Sequence, residues 1–175
     1  MTSPSTHVLV ILDGLKAANL FVSVDGGWGV DALLGCQTRP HDDLDLVIDI
    51  EQVDSVREAL GALGYALKLE EMPTRFVLAA DGDRRVDFHP NYLDETGFAH
   101  QRLPGGRVFT CRSAALGFRG FIDGREVHCL SPELQLAVHT GYALDEVDRE
   151  DVARLFEEFA LPPPPGYGAK TGDLG

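Results

Sequence analysis

Apolar positions along the chain recur with two different periods, and the switch between them marks the elements. Val8, Leu9, Ile11, Leu12 and Leu15 are spaced by three and four, which predicts an amphipathic helix over residues 8–19. Residues 21–24 form a short apolar strand. Asp25-Gly26-Gly27 then makes a turn into a helically spaced segment from Trp28 to Leu34 that stops at Gly35. Residues 37–41 are polar and broken by Pro40, a loop that delivers the chain into a Leu/Val/Ile strand over 44–50. Val53, Val56, Leu60 and Leu63 mark a second helix, closed by Gly64. Strands follow at 66–69 and 76–80, with a hairpin turn at Asp81-Gly82 and a return strand over 85–89 that Pro90 ends.

Residues 91–117 read as loop-rich, with Pro104-Gly105-Gly106 as a turn, and a second hairpin spans 118–122 and 126–129 around Asp123-Gly124. The pattern then turns helical. Ser131 is the N-cap and Pro132 the first position of a helix carrying Leu134, Leu136, Ala137 and Val138 up to Gly141, and a last helix covers 148–159. The four prolines at 162–165 open an extended tail outside the fold. The pattern predicts one domain over 1–160, with an α/β part to about 130, a helical part over 131–160 and a Pro/Gly-rich tail over 161–175.

Composition narrows the partners. The 175 residues carry 15 Lys and Arg against 28 Asp and Glu, a net charge of -13, so the average surface repels phosphate backbones and anionic lipids. Nucleic acid is excluded as a main partner. A cationic small molecule is favoured by such a field, although an acidic surface also serves solubility alone. Cys36, Cys111 and Cys129 are odd in number and lack metal-site spacing, which leaves reduced thiols. With neither a leader pattern nor an apolar run near the roughly 18 residues of a membrane span, a cytoplasmic, membrane-free protein is expected.

Aspartate is depleted in strands, so Asp43 and Asp45 on either side of Leu44 need a reason. Positions two apart share a face, and their carboxylates project together at about 6 to 7 Å, a separation that a divalent ion bridges, hard oxygen ligands suiting Mg2+. Asp87 alternates in the same way between Val86 and Phe88. If its strand lies beside that of Asp43, three carboxylates converge and could hold two metal ions, which clamp the attacking and leaving oxygens of a phosphoryl-type transfer. Gly26 and Gly27 let backbone amides approach an anion at a helix N-terminus, and Arg39 and His41 add cationic or hydrogen-bonding contacts to the same phosphates. Each feature alone is weak; their order along the chain is what points to a nucleotide site.

The runs Asp25-Gly26-Gly27-Trp28-Gly29-Val30-Asp31 and Thr38-Arg39-Pro40-His41-Asp42-Asp43-Leu44-Asp45 resemble the signature of antibiotic nucleotidyltransferases. Met72-Pro73-Thr74-Arg75, Val86-Asp87-Phe88-His89-Pro90 and residues 131–155, with His139-Thr140-Gly141-Tyr142, resemble the small lincosamide nucleotidyltransferases in particular. The likeness covers about 8–155 and is weaker over 93–125, where acceptor contacts could lie. It implies an α/β (α+β) fold, a nucleotidyltransferase-type mixed sheet with flanking helices and a small C-terminal helical part, and often a homodimer. It also implies that Asp43 and Asp45 bind Mg2+, that Asp87 completes the acidic triad, and that Gly26, Gly27 and Trp28 shape the triphosphate site.

The reaction so implied is attack of an acceptor hydroxyl on the α-phosphorus of ATP or another NTP, giving an AMP (NMP) ester and pyrophosphate. Asp87 either accepts the hydroxyl proton or serves only as a metal ligand. His89, on the face of Asp87, orients it, meets the acceptor, or is a structural histidine. Arg75 lies near the pocket or in an ordinary ion pair, and His139 and Tyr142 line the acceptor pocket or merely cap and pack their helix. Trp28 covers the nucleotide or fills the core. The acidic run Asp145, Glu146, Asp148, Glu150 and Asp151 is a solvated helix start or a lure for a cationic antibiotic. Three functions follow: transfer to a lincosamide-like acceptor, transfer to an aminoglycoside 2''-hydroxyl, or a nucleotide-binding, antitoxin-like module without turnover. Three mutually repelling carboxylates argue against the last.

Overall fold

The computed structural model describes residues 4–82, 84–139 and 146–162. In chain order these form α1 (Ser5–Ala17), β1 (Val22–Asp25), α2 (Gly26–Leu34), β2 (Asp43–Asp49), α3 (Val53–Gly61), β3 (Ala66–Glu71), β4 (Arg75–Ala80) and β5 (Arg84–Leu93). They continue through β6 (Phe98–Arg102), β7 (Val108–Arg112), β8 (Phe118–Ile122), β9 (Arg125–Cys129), α4 (Pro132–Val138) and α5 (Glu146–Phe159). The nine strands make one mixed sheet in the order β3-β4-β5-β2-β1-β9-β8, with β6 and β7 carried off β5. β1 and β2 are antiparallel, β2 and β5 parallel, and β9 joins β1 in parallel through the pair Val24 and Cys129.

Alternation in the three central strands gives the sheet two unlike faces. Val22, Val24, Leu44, Leu46, Ile48, Val86 and Phe88 all point into the main core, where the apolar stripes of α1 (Val8, Leu9, Ile11, Leu15) and α3 (Val53, Val56, Leu60) cover them. The opposite face carries Asp25, Asp45 and Asp87, and farther along β2 it carries Val47. Val47 packs with Ala99, Leu116, Leu130 and Leu134 in a smaller core. The acidic ends of the strands are thus held rigid by a large apolar layer on their other side.

Two differences from the sequence reading have clear causes. β5 does not stop at Pro90 but runs through it to Leu93. Its ladder with β4 ends at Phe88 and its ladder with β6 begins at Asn91, so Pro90 falls where that edge has no partner and its missing N–H costs nothing there. The stretch read as loop-rich contains the β6–β7 hairpin, turned at Pro104–Gly106. Its side chains are exposed or half-buried apart from the buried Ala99, so the sequence shows little of the apolar alternation that reveals a half-buried strand.

Candidate active site

β1, β2 and β5 set three aspartates side by side: Asp25 opposite Asp45, and Asp45 opposite Asp87. Asp25 also caps α2, its Oδ1 accepting the Gly26 N–H at 2.6 Å. Gly26 sits at φ +60, and a Cβ there would strike the carboxylate of Asp45. The absent side chain at Gly26 is what lets the β2 carboxylate lie against the start of α2. With the Gly26 amide engaged, an anion at this turn has the following α2 amides to meet.

Asp45 Oδ1 lies 3.1 Å from His89 Nε2, so the partner of this histidine is Asp45 rather than Asp87. Burial disfavours the charged His89 ring, but the hydrogen bond and charge of Asp45, reinforced by Asp25 and Asp87, outweigh it and push the imidazole up to about 9. Asp87 is 9% exposed and takes a 2.9 Å hydrogen bond from Arg75 on one oxygen, while its Oδ1 is buried without a partner. Burial raises its carboxyl, with Asp45 adding to the effect and His89 and Arg75 opposing it. Arg75 also bonds Glu71 and takes no part in lining the cleft, which is the ion-pair alternative. Asp43 stands at the cleft edge; desolvation, then the charges of Asp45, Asp87 and Asp42, hold its carboxyl above the usual range.

Above these carboxylates opens a cleft of about 660 Å3. One wall is Gly26, Gly27, Arg39 and His41; the other is His139 of α4 with Leu103, Arg107 and Phe109 of the β6–β7 hairpin. His41 is 3% exposed, bonded through Nε2 to the buried Asp31 at 2.5 Å and tilted against Trp28, and a Cβ on Gly27 would strike its ring. Asp31 in turn holds the loop through the Thr38 amide and hydroxyl. Arg39 reaches over to Asp151 of α5 at 2.8 Å. Burial lowers the guanidinium's affinity for its proton, and the bond and charge of Asp151, with Asp31 and Asp148, more than restore it.

The sequence-selected residues therefore divide. Asp43, Asp45, Gly26, Gly27, Arg39, His41, His89 and His139 line one cleft, and Asp87 lies beside Asp45 on the next strand. Trp28 does not line it: the ring is 2% exposed and belongs to the main core, because the first turn of α2 faces the apolar layer. Tyr142, Asp145 and the tail from residue 163 lie outside the described residues. The sequence reading passed over Asp25, Gln135 and the hairpin wall. Asp25 had a signal, since an aspartate before a glycine pair and a helix is a capping position. Gln135, fully buried yet bonded to Asp25, had none.

Asp45, Asp87 and His89 each present a ligand atom, all within 4.8 Å of one another. Two hard carboxylates, one with a buried unpartnered oxygen, and an imidazole form a donor set that fits a divalent cation. Among the described residues no helix is long and apolar enough to cross a membrane.

Known proteins give the arrangement a context. Residues 7–155 match the family profile described as aminoglycoside-2''-adenylyltransferase. The lincosamide resistance protein of Staphylococcus haemolyticus is 34% identical over 149 residues, 85% of this chain and 92% of the relative. The 2''-aminoglycoside nucleotidyltransferase of Escherichia coli is 34% identical over 150 residues, 86% of this chain and 80% of the relative. The crystal structure of a lincosamide antibiotic adenylyltransferase with lincomycin bound superposes with a TM-score of 0.78 at 31% identity, covering 89% of this chain and 98% of that one. ANT(2'')-Ia in complex with adenylyl-2''-tobramycin gives 0.71 at 25% identity, covering 89% of this chain and 88% of that one.

Proposed function

The chain belongs to the aminoglycoside-2''-adenylyltransferase family, and from that premise we propose that it inactivates an antibiotic by moving AMP from ATP, or NMP from another NTP, to a hydroxyl of a lincosamide-like acceptor. One observation carries the reading: Asp45 lines a cleft rimmed by a glycine turn and a helix start, and Asp87 stands paired with it on the neighbouring parallel strand. The lincosamide acceptor is favoured because the alignment takes in 92% of that relative and the superposition is the better of the two. Residues 1–160 form the catalytic domain, it works as a homodimer in the cytoplasm, and nucleic acid is no partner.

Asp43, Asp45 and Asp87 hold the Mg2+, two ions in this reading, with His89 beside them. Bound there, the metal supplies positive charge that offsets the negative charge of the phosphates. The chain's own groups do the positioning: the Gly26-Gly27 turn, Arg39 and His41 seat the polyphosphate so that the acceptor hydroxyl meets the α-phosphorus in line with departing pyrophosphate. Asp87 serves as a ligand rather than a base, since it does not line the cleft and Arg75 holds one of its oxygens. Arg75 and His89 set the directions of Asp87 and Asp45. Trp28 acts only as packing under the turn.

An aminoglycoside acceptor is the second reading, favoured by the acid-lined cleft: Asp25, Asp43, Asp45 and Asp148 would attract a polycation. Incubation with ATP and Mg2+ against a panel of both antibiotic classes, followed by mass spectrometry, decides between them by which member gains one AMP. Asp45→Asn is expected to abolish the adduct while leaving the melting temperature within about 3 °C of wild type. A fully active variant would remove Asp45 from the chemistry, and a wild type that modifies neither class would leave the non-catalytic module.

A further inference from the structure

Helix α4 ends at the cleft with an imidazole whose hydrogen-bonding sense is fixed. His139 is buried but lines the cleft, and its Nδ1 lies 2.7 Å from the carbonyl oxygen of Gln135, one turn back. A carbonyl oxygen only accepts, so this contact requires the hydrogen on Nδ1. In the neutral ring Nε2 then carries a lone pair, and among the described residues it has no protein partner.

The helix that holds this ring cannot easily turn. The Gln135 side chain is fully buried, and its Nε2 donates to Asp25 Oδ1 at 3.0 Å, the same oxygen that caps α2. Its Oε1 fills the space over Gly29 that any larger residue would occupy. One glutamine therefore ties α4 to the glycine turn with its side chain and fixes the sense of His139 with its carbonyl.

We propose that His139 is the residue that binds the acceptor hydroxyl, its Nε2 taking a hydrogen bond from an alcohol of the antibiotic, with Gln135 as its positioning residue. This rests on the transferase reading above. A hydroxyl is the matching ligand because an unprotonated ring nitrogen can only accept. An ammonium-bearing acceptor donates equally well, so the hydroxyl is distinguished by the chemistry the cleft performs. The contact would orient the hydroxyl at a distance from the nucleotide set by the buried glutamine.

Two substitutions separate this role from packing. His139→Asn keeps an N–H near the position of Nδ1 for the Gln135 carbonyl but removes the acceptor at Nε2, whereas His139→Gln reaches the Nε2 position. With the acceptor identified by the AMP adduct, kcat/KM for that acceptor is expected to fall about three- to tenfold in the Asn variant, the net worth of one neutral hydrogen bond. It should recover in large part in the Gln variant, while KM for ATP stays within about twofold in both. Equal losses in the two variants, or a matching rise in the ATP KM, would overturn the assignment. A measurement independent of turnover is the 15N spectrum of the histidine rings: His139 should show the Nδ1–H tautomer, with its Nε2 resonance moving on saturation with lincomycin or tobramycin. An Nε2–H tautomer, or an Nδ1–H ring unmoved by both antibiotics, would refute it even if no adduct forms and the transferase reading itself has failed.

Discussion

Gly26 is the residue on which the site geometry turns most directly. Its backbone lies in the left-handed region, and its missing Cβ leaves the room that the Asp45 carboxylate occupies. Gly26→Ala therefore meets two penalties at once. The left-handed conformation costs about 1 to 2 kcal/mol for a residue with a Cβ, and the methyl pushes the carboxylate off its line with Asp87. The variant should melt several degrees lower and lose adduct formation more than tenfold. Asp45→Asn should lose the adduct with little change in melting. A Gly26→Ala variant that melts lower yet keeps its turnover would show that Asp45 has freedom the close contact denies it. The glycine pair, the two β2 aspartates and Asp87 were all legible in the sequence because strand alternation and turn chemistry are local rules. Trp28 was legible only as an alternative, since a tryptophan at a helix start serves a core and a cleft equally well and only tertiary packing decides.

At the scale of elements, the order of helices and strands through β5 followed from periodicity, and so did the β8–β9 hairpin. The β6–β7 hairpin did not, because a hairpin that buries little shows no alternation. What holds its entry is polar. Asp94 accepts from His100, from the Thr96 amide and hydroxyl and from the Phe98 amide, all around the turn between β5 and β6. The His100 hydrogen bond first, then those of Phe98 and Thr96, hold its carboxyl well below the usual range. A carboxyl lowered in the folded state stabilises fully above its unfolded value of about 4. That support is lost as the pH falls further, through the folded value. Asp94→Asn should accordingly melt below wild type at pH 7, by a small margin because the group is partly exposed and screened by solvent. The gap should close on acidification below about pH 4. A gap that persists at the lowest pH where the fold survives would trace it to the amide's geometry instead of the charge. The hairpin carries Leu103, Arg107 and Phe109 into the cleft, so the same variant tests whether the wall is a passive edge: its acceptor KM should rise with the loosened turn while its ATP KM holds.

Over the whole molecule, the helical part is fastened to the sheet across α2, against which both α4 and α5 pack. Two polar ties among the described residues are Gln135 to Asp25 and Asp151 to Arg39, and both end on residues that line the cleft. The sequence placed Asp151 in an acidic run at the start of the last helix, where solvation is the ordinary fate. The fold instead buries it to 1% exposure, because α5 lies along α2 with that face turned inward. Breaking this pair from its two sides should give unequal results. Arg39→Gln strands a buried carboxylate whose remaining partner is Arg154 at 3.2 Å, a loss of about 3 kcal/mol. Asp151→Asn releases a guanidinium that is 28% exposed and can rehydrate, so its cost is nearer 1 to 2 kcal/mol. Urea denaturation followed by circular dichroism measures both. Equal losses would overturn the burial argument, and negligible losses in both would mean that apolar packing docks the helices. A kinetic readout goes with it: if Asp151 aims Arg39 at the phosphates, Asp151→Asn raises the ATP KM and leaves the acceptor KM unchanged, the reverse of the pattern expected for His139→Asn. The two ties would then divide the C-terminal helices by substrate, α5 serving the nucleotide through Arg39 and α4 serving the acceptor through His139.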